Sequence, residues 1–280
     1  PFVAVLGTAA GSSSRLNLSQ AFNSLGTAIA PAIGASLILS DTVKTTKEIS
    51  LLSEVEKATY YFSEAATVQM PFLILAFSIL ILSILFAFVR LPKLIQTVSN
   101  NGYMQVIKNK ILMMGALGIL LYVGAEVAIG SYLVNYFIDM DIHTIILETN
   151  WMQSLAISIL NTDLATLDKR AIVGAFVTFY WSGAMIGRFI GAYLTKLYNP
   201  SKVLGCFTIG ALLLIIISMN TTGLISMWSI LGVGLFNSIM FPTIFTLSIQ
   251  DIDELKPQAS GILCTMIVGG AIIPPLFGFF

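Results

Sequence analysis

Between Ile111 and Ile138 runs a stretch of 28 residues, ILMMGALGILLYVGAEVAIGSYLVNYFI, whose one charged side chain, Glu126, stands near its middle. At about 1.5 Å of rise per residue, a helix of this length crosses the roughly 30 Å hydrocarbon core of a bilayer. A carboxylate at that depth costs on the order of 3 kcal/mol and persists where it serves an ion or substrate path. Ser131, Tyr132 and Asn135 follow Glu126, so the second half of the helix is also polar on one side. The stretch dictates a membrane fold and reads as one wall of a pathway through it.

Composition agrees. Of 280 residues, 56% are hydrophobic and only 10% charged, against about 25% charged in a soluble domain. Net charge is zero and there is no basic block, so nucleic-acid binding has no support. Cys206 and Cys264 sit singly in apolar runs and read as packing residues, not as a disulfide or metal pair. With His143 the single histidine, no metal site is expected. Nothing resembles G-x-S-x-G, a P-loop, H-E-x-x-H or a cysteine cluster, so neither an enzyme nor a cofactor is expected.

The apolar runs divide the chain into a stub (1–10) and seven spans, near 16–39, 71–91, 111–138, 171–194, 203–219, 223–249 and 260–280. The ends fall inside apolar runs, and the chain reads as a fragment lacking spans at both ends. Polar loops are expected at 40–70, the first with room for a surface helix, and at about 139–170. In the first span Asn17, Gln20, Asn23 or Ser24, and Thr27 fall at helical spacing and form an amide-rich stripe. The span at 71–91 has no such stripe and is expected to face lipid. Arg15, Arg90, Lys93, Lys108, Lys110, Lys196, Lys202 and Lys256 lie on one side of the alternating loops. Five basic residues lie on the other side, beside ten of the fourteen acids. The excess of lysine and arginine makes the first side cytoplasmic, including the loop 92–110.

A short pattern recurs. Gly26-Thr-Ala-Ile-Ala-Pro-Ala-Ile-Gly34 and Gly270-Ala-Ile-Ile-Pro-Pro-Leu-Phe-Gly278 share G-x-x-I-x-P-x-x-G at an offset of 244 residues. Six spans separate the copies, so both run in the same direction. Two parallel six-span halves related by an axis along the membrane normal would give this pattern, and so would common helix-packing glycines and prolines.

Four segments carry a resemblance. RLNLSQAFNSLGT (Arg15–Thr27), YVGAEVAIGSYLVNY (Tyr122–Tyr136), MIGRFIGAYL (Met185–Leu194) and FPTIFTLSI (Phe241–Ile249) are similar, in this order, to the fucose permease and glucose/galactose transporter branch of the major facilitator superfamily. The resemblance implies an all-α membrane fold of two pseudo-symmetric six-helix halves. Residues 1–91 would be the end of the first half, 92–110 the central cytoplasmic loop and 111–280 an incomplete second half lacking its last helix. It implies a monomeric secondary transporter of the bacterial inner membrane that imports a monosaccharide with H⁺ or Na⁺ by alternating access. The family's carboxylates in its first and fourth helices would precede Pro1. Glu126 matches the glucose/galactose branch, where the fucose branch tends to carry Gln. A sugar sensor or membrane scaffold on the same fold is the alternative.

The candidate substrate-binding residues are Gln20, Asn23, Glu126, Tyr132, Asn135 and Asn237, with Glu126 and Arg188 for coupling or gating. Amides donate and accept at once, as a hexose hydroxyl requires, although Gln20 and Asn23 would equally suit hydrogen bonds between helices. Tyr132, Tyr180 and Trp181 suit either stacking on a pyranose ring or anchoring at the interface. Arg188 lies towards the cytoplasmic end of its span, within reach of snorkelling, in a G-R-F-x-G segment that resembles the superfamily's gating loop. Pro242, five residues after Asn237, cannot donate a backbone bond and is expected to bend its helix and open carbonyls towards the cavity.

Overall fold

The computed structural model describes residues 2–38, 49, 51–89, 102–252 and 255–279. Among them every regular element is helical. They are α1 (Phe2–Val5), α2 (Ser12–Ile38), α3 (Glu54–Phe88), α4 (Gly102–Ile107), α5 (Lys110–Asp139), α6 (Ile142–Glu148), α7 (Asn150–Leu160) and α8 (Lys169–Leu197). There follow α9 (Pro200–Asn220), α10 (Gly223–Asn237), α11 (Met240–Ser248), α12 (Lys256–Thr265) and α13 (Gly269–Phe279). Six apolar segments, Gln69–Phe88, Lys110–Asp139, Lys169–Leu197, Pro200–Asn220, Gly223–Ser248 and Lys256–Phe279, are long enough to cross a bilayer. At 27 residues α2 is also long enough, the amide stripe making it the less apolar. The chain is a multi-pass membrane protein. Most of the expected loop 92–110, and residues 39–48 of the loop before α3, lie outside the described residues.

Helix starts follow local chemistry. Asp168 accepts from the Arg170 and Ala171 amides at the start of α8, and Asn109 from Leu112 at the start of α5. Asn199 caps α9, with Pro200 at its first position, where the missing N–H is no loss. Ser53 and Glu56 form a reciprocal capping box for α3. That helix therefore begins at Glu54, well ahead of the apolar run, and continues through Pro71. The surface helix and the span are one element.

The chain forms two compact units, Leu25–Lys93 and a larger one of Pro1–Ser24 with Leu94–Phe280. In the smaller unit no residue from 72 to 88 is buried, in keeping with a lipid-facing span. In the larger unit α5 runs through the middle, packed by α8, α11 and α13. Its main core gathers Phe137 of α5, Phe176 and Tyr180 of α8, and Met227 and Leu231 of α10. A second core holds Leu112, Ile119, Phe245 and Leu263.

Helices α8 and α10 approach most closely along Gly183, Gly187 and Gly191, spaced four residues apart on one face of α8. A Cβ at Gly187 would meet the Leu235 carbonyl oxygen and the Ser238 hydroxyl, and one at Gly234 the Tyr180 carbonyl oxygen. Within lipid, where helices gain no hydrophobic advantage by meeting, such small-residue contacts carry association.

The acidic loop 139–170 is mostly helix. Ile142 and Ile146 of α6, and Met152 and Ala156 of α7, are buried on the main core. Their spacing of four residues makes each short helix amphipathic. Both cysteines are free and stand exposed, not packed inside. The helix containing Pro242 breaks at Ser238 and Ile239, between α10 and α11. Residue 242 cannot donate to the carbonyl four residues back, so that of Ser238 is left open.

Candidate functional site

Glu126 is 9% exposed, held between three helices. On its own helix, Tyr122 stands one turn earlier beside the carboxylate. From α8, the Tyr180 hydroxyl donates to the Glu126 carbonyl oxygen at 3.3 Å. The Asn237 amide, from the end of α10, donates in turn to the Tyr180 hydroxyl at 3.3 Å. Also from α8, Arg188 Nη2 lies 3.9 Å from Glu126 Oε1. The pair is largely buried, with side-chain exposures of 17% and 12%. The Glu126 carboxylate and the Tyr122 hydroxyl face each other, buried, and Glu126 Oε1 and the Tyr122 hydroxyl have no further hydrogen-bond partner.

Arg188 is held by more than this carboxylate. Its Nε donates to the Ser238 carbonyl oxygen at 3.2 Å, the carbonyl that Pro242 leaves open. Its Nη1 donates to Ser24 Oγ on α2. Ser24 also donates to the Gln20 carbonyl oxygen at 3.0 Å, which ties Arg188 to the amide-rich helix.

Beyond Arg188, a layer of neutral polar bonds joins the first turns of α2 to α8 and α11. Ser14 Oγ donates to the Ala192 carbonyl oxygen at 2.7 Å. Ser13 and Thr246 hydroxyls meet at 2.6 Å. Asn17 Nδ2 donates to Thr243 Oγ1 at 3.1 Å and to the Ser13 carbonyl oxygen at 2.9 Å. Past this layer opens a cavity of about 640 Å³, lined in part by Ser12, Ser13, Thr195, Lys196, Thr246 and Lys256. Thr195 lies about two helical turns beyond Arg188 on α8. The bonded layer thus separates the Glu126 level from that cavity.

The structure brings Glu126, Arg188 and Asn237 of the candidate residues into one network; Gln20 meets it only through its backbone carbonyl oxygen, which accepts from Ser24 one turn on. Gln20 is half-buried and Asn23 exposed. Asn17, of the same stripe, joins helices to each other. Tyr132 and Asn135 point elsewhere: at 3.6 residues per turn they lie about 120° and 180° around α5 from Glu126. The Tyr132 hydroxyl donates to the Pro274 carbonyl oxygen at 3.2 Å, and its ring packs edge-on against Phe277 of α13. Asn135 is exposed. Trp181 packs edge-on against Tyr180 and is 47% exposed. Sequence reasoning missed Tyr122, Ser24 as the partner of Arg188, and Tyr180 as a support. The spacing of Tyr122 and Glu126, four residues apart on one helix face, was the signal for the first.

Among the described residues no group of histidine, cysteine and carboxylate side chains could hold a metal ion.

Two solved structures match the whole of this chain at TM-score 0.82 and 27% identity, the match covering 64% of the other chain in each. Both are structures of one protein, FucP, described in one as a major facilitator superfamily transporter in the outward conformation and in the other as the fucose:proton symporter of E. coli. The chain has the major facilitator superfamily fold. By sequence it is 38% identical over 281 aligned residues to a glucose/galactose transporter of Brucella abortus, covering 99% of this chain and 59% of that protein. It is 36% identical to a putative glucose/galactose transporter of Helicobacter pylori, over 99% of this chain and 60% of the other. Against the L-fucose-proton symporter of Escherichia coli it is 29% identical, over all of this chain and 60% of the other. The chain therefore spans about three-fifths of the curated relatives it matches. No family model matches it.

Proposed function

We propose that this chain is the larger part of a secondary transporter that imports a monosaccharide, glucose or galactose in first place and fucose in second. The observation that carries the reading is a largely buried carboxylate–guanidinium pair within the spans, Glu126 and Arg188, on a chain 38% identical, over 99% of its own length and 59% of the relative's, to a glucose/galactose transporter. The Glu126 carboxylate and the Tyr122 hydroxyl, buried side by side with no further partner, are an acceptor and a donor of the kind that sugar hydroxyls satisfy. Gln20 and Asn23 contribute amides from α2, with Asn237 supporting Glu126 through Tyr180. Tyr132, bonded to α13, and the exposed Asn135 lie on other faces of α5 and stand outside this site.

Residues 1–91 belong to the first half, 92–110 to the cytoplasmic loop and 111–280 to the second half, in the inner membrane of a bacterium, as a monomer. The bonded layer at Ser13, Asn17, Thr243 and Thr246 then closes the cytoplasmic end, and transport requires it to part as the halves rock. The coupling ion is H⁺, in keeping with the fucose:proton symporter relative; Na⁺ is the alternative.

The test is uptake of labelled glucose, galactose and fucose by the full-length protein in proteoliposomes, with and without an imposed proton or sodium gradient. Accumulation above equilibrium with a proton gradient is expected. Binding without accumulation would identify a sensor on the same fold and overturn the transport reading.

A further inference from the structure

Arg188 touches three helices besides its own, and the chemistry of its contacts is unequal. Ser24 Oγ on α2 and the Ser238 carbonyl oxygen at the end of α10 are neutral acceptors. Glu126 on α5, 3.9 Å away, is the one carboxylate paired with it among the described residues. The other titratable groups around Glu126 are Tyr122 on its own helix and Tyr180 on α8; α10 contributes Asn237 and α2 contributes Ser24, both uncharged.

We propose that Arg188 is the link through which the state of Glu126 controls the closed end, with Ser24 as the positioning residue that receives it on α2. The inference rests on the transport reading above and adds the internal connection that it lacks. A buried guanidinium is tolerated where a counter-charge faces it, and removing one partner of such a pair leaves the other uncompensated. While Glu126 is ionised and empty, its charge holds Arg188 inside, where Nη1 reaches Ser24 and ties α2 to α8. When Glu126 takes a proton, or its oxygens are occupied by sugar hydroxyls, that hold weakens. The long side chain then moves towards water, and the cavity beginning at the Thr195 level lies in that direction. Ser24 loses its donor, and the neutral bonds of the layer alone hold the end shut. The sign suits an importer: the empty site keeps the cytoplasmic end closed, and the loaded site releases it.

The link is measurable without sugar. In the full-length protein with native cysteines removed, Thr195→Cys places a reporter that is 2% exposed in the closed form. Its labelling by an impermeant maleimide is followed in inside-out vesicles. Glu126→Gln, which keeps the shape and removes the charge, is expected to raise the labelling rate about fivefold or more, the lower range of coupling between sites. Arg188→Gln and Ser24→Ala should each raise it too. Glu126→Gln should add nothing on either of those backgrounds. Should Arg188→Gln fail to insert, the Ser24→Ala background makes the same comparison. An unchanged rate in Glu126→Gln, or an equal rise on the Arg188→Gln or Ser24→Ala background, would overturn the link. Sugar uptake by the unaltered protein is scored separately: its absence sinks the transport reading, whereas a labelling failure with uptake intact sinks only the link.

Discussion

The support behind Glu126 makes a quantitative prediction. Tyr180 is fully buried and Asn237 is 5% exposed, and the single hydroxyl between them both receives from Asn237 and donates to the Glu126 backbone. Tyr180→Phe preserves the ring and its packing and removes only that hydroxyl. The Asn237 amide then loses its acceptor in a buried setting, which costs about 1–3 kcal/mol in water-soluble proteins. Interhelical bonds in membranes average about 0.6 kcal/mol with a maximum near 1.7 kcal/mol, so about 1–2 kcal/mol is expected. For a unit of this size each kcal/mol moves the melting temperature by about 2–4 °C, so the melting temperature in detergent should fall by about 2–8 °C. Asn237→Ala should cost less, because Tyr180 still donates to Glu126. The double variant should cost little more than Tyr180→Phe alone, giving a coupling of about 1 kcal/mol in the cycle. Additivity within about 0.5 kcal/mol would refute the chain Asn237–Tyr180–Glu126 as a unit. Apparent sugar affinity should fall in both single variants, since both loosen the backbone that carries the carboxylate.

Gly187→Val should prevent stable assembly, because its Cβ would meet the Leu235 carbonyl oxygen and the Ser238 hydroxyl; overpacking costs about 1–3 kcal/mol or more, read as lost monodispersity and a lowered melting temperature. The double variant Gln20→Ala, Asn23→Ala should weaken sugar binding by roughly thirtyfold to several hundredfold, at about 1–2 kcal/mol for each lost partner; unaltered binding in correctly inserted protein would assign both amides to helix packing. Cysteines placed at Lys108 and Glu54 should label from opposite sides with an impermeant reagent, as the loop charges require; labelling from one side would overturn the orientation.

Much was legible in the chain before any contact was known. Long apolar runs dictate spans, because an unpaired backbone cannot survive in hydrocarbon and a helix satisfies its own. Glu126 stood out because a carboxylate in such a run is costly, and Pro242 because it cannot donate a backbone bond. The helix starts at Asp168, Asn109 and Asn199 are also set by local hydrogen bonding, although sequence reasoning did not single these residues out. Periodicity also set Asn17, Gln20 and Asn23 on one stripe, but a stripe names a face and not what meets it. Only the tertiary structure decided that Asn17 would bond Thr243, 226 residues away, and that Ser24 would receive Arg188, 164 residues away. Only the packing decided that Tyr180 would hold the backbone at Glu126, and that Arg188 would take the carbonyl Pro242 leaves open. The division has a physical cause: backbone satisfaction, capping and apolar period act within about one helical turn, whereas these partners are chosen by which helices come close enough to touch. That closeness depends on small residues such as Gly187 and Gly234, whose importance lies in the opposing backbone they admit.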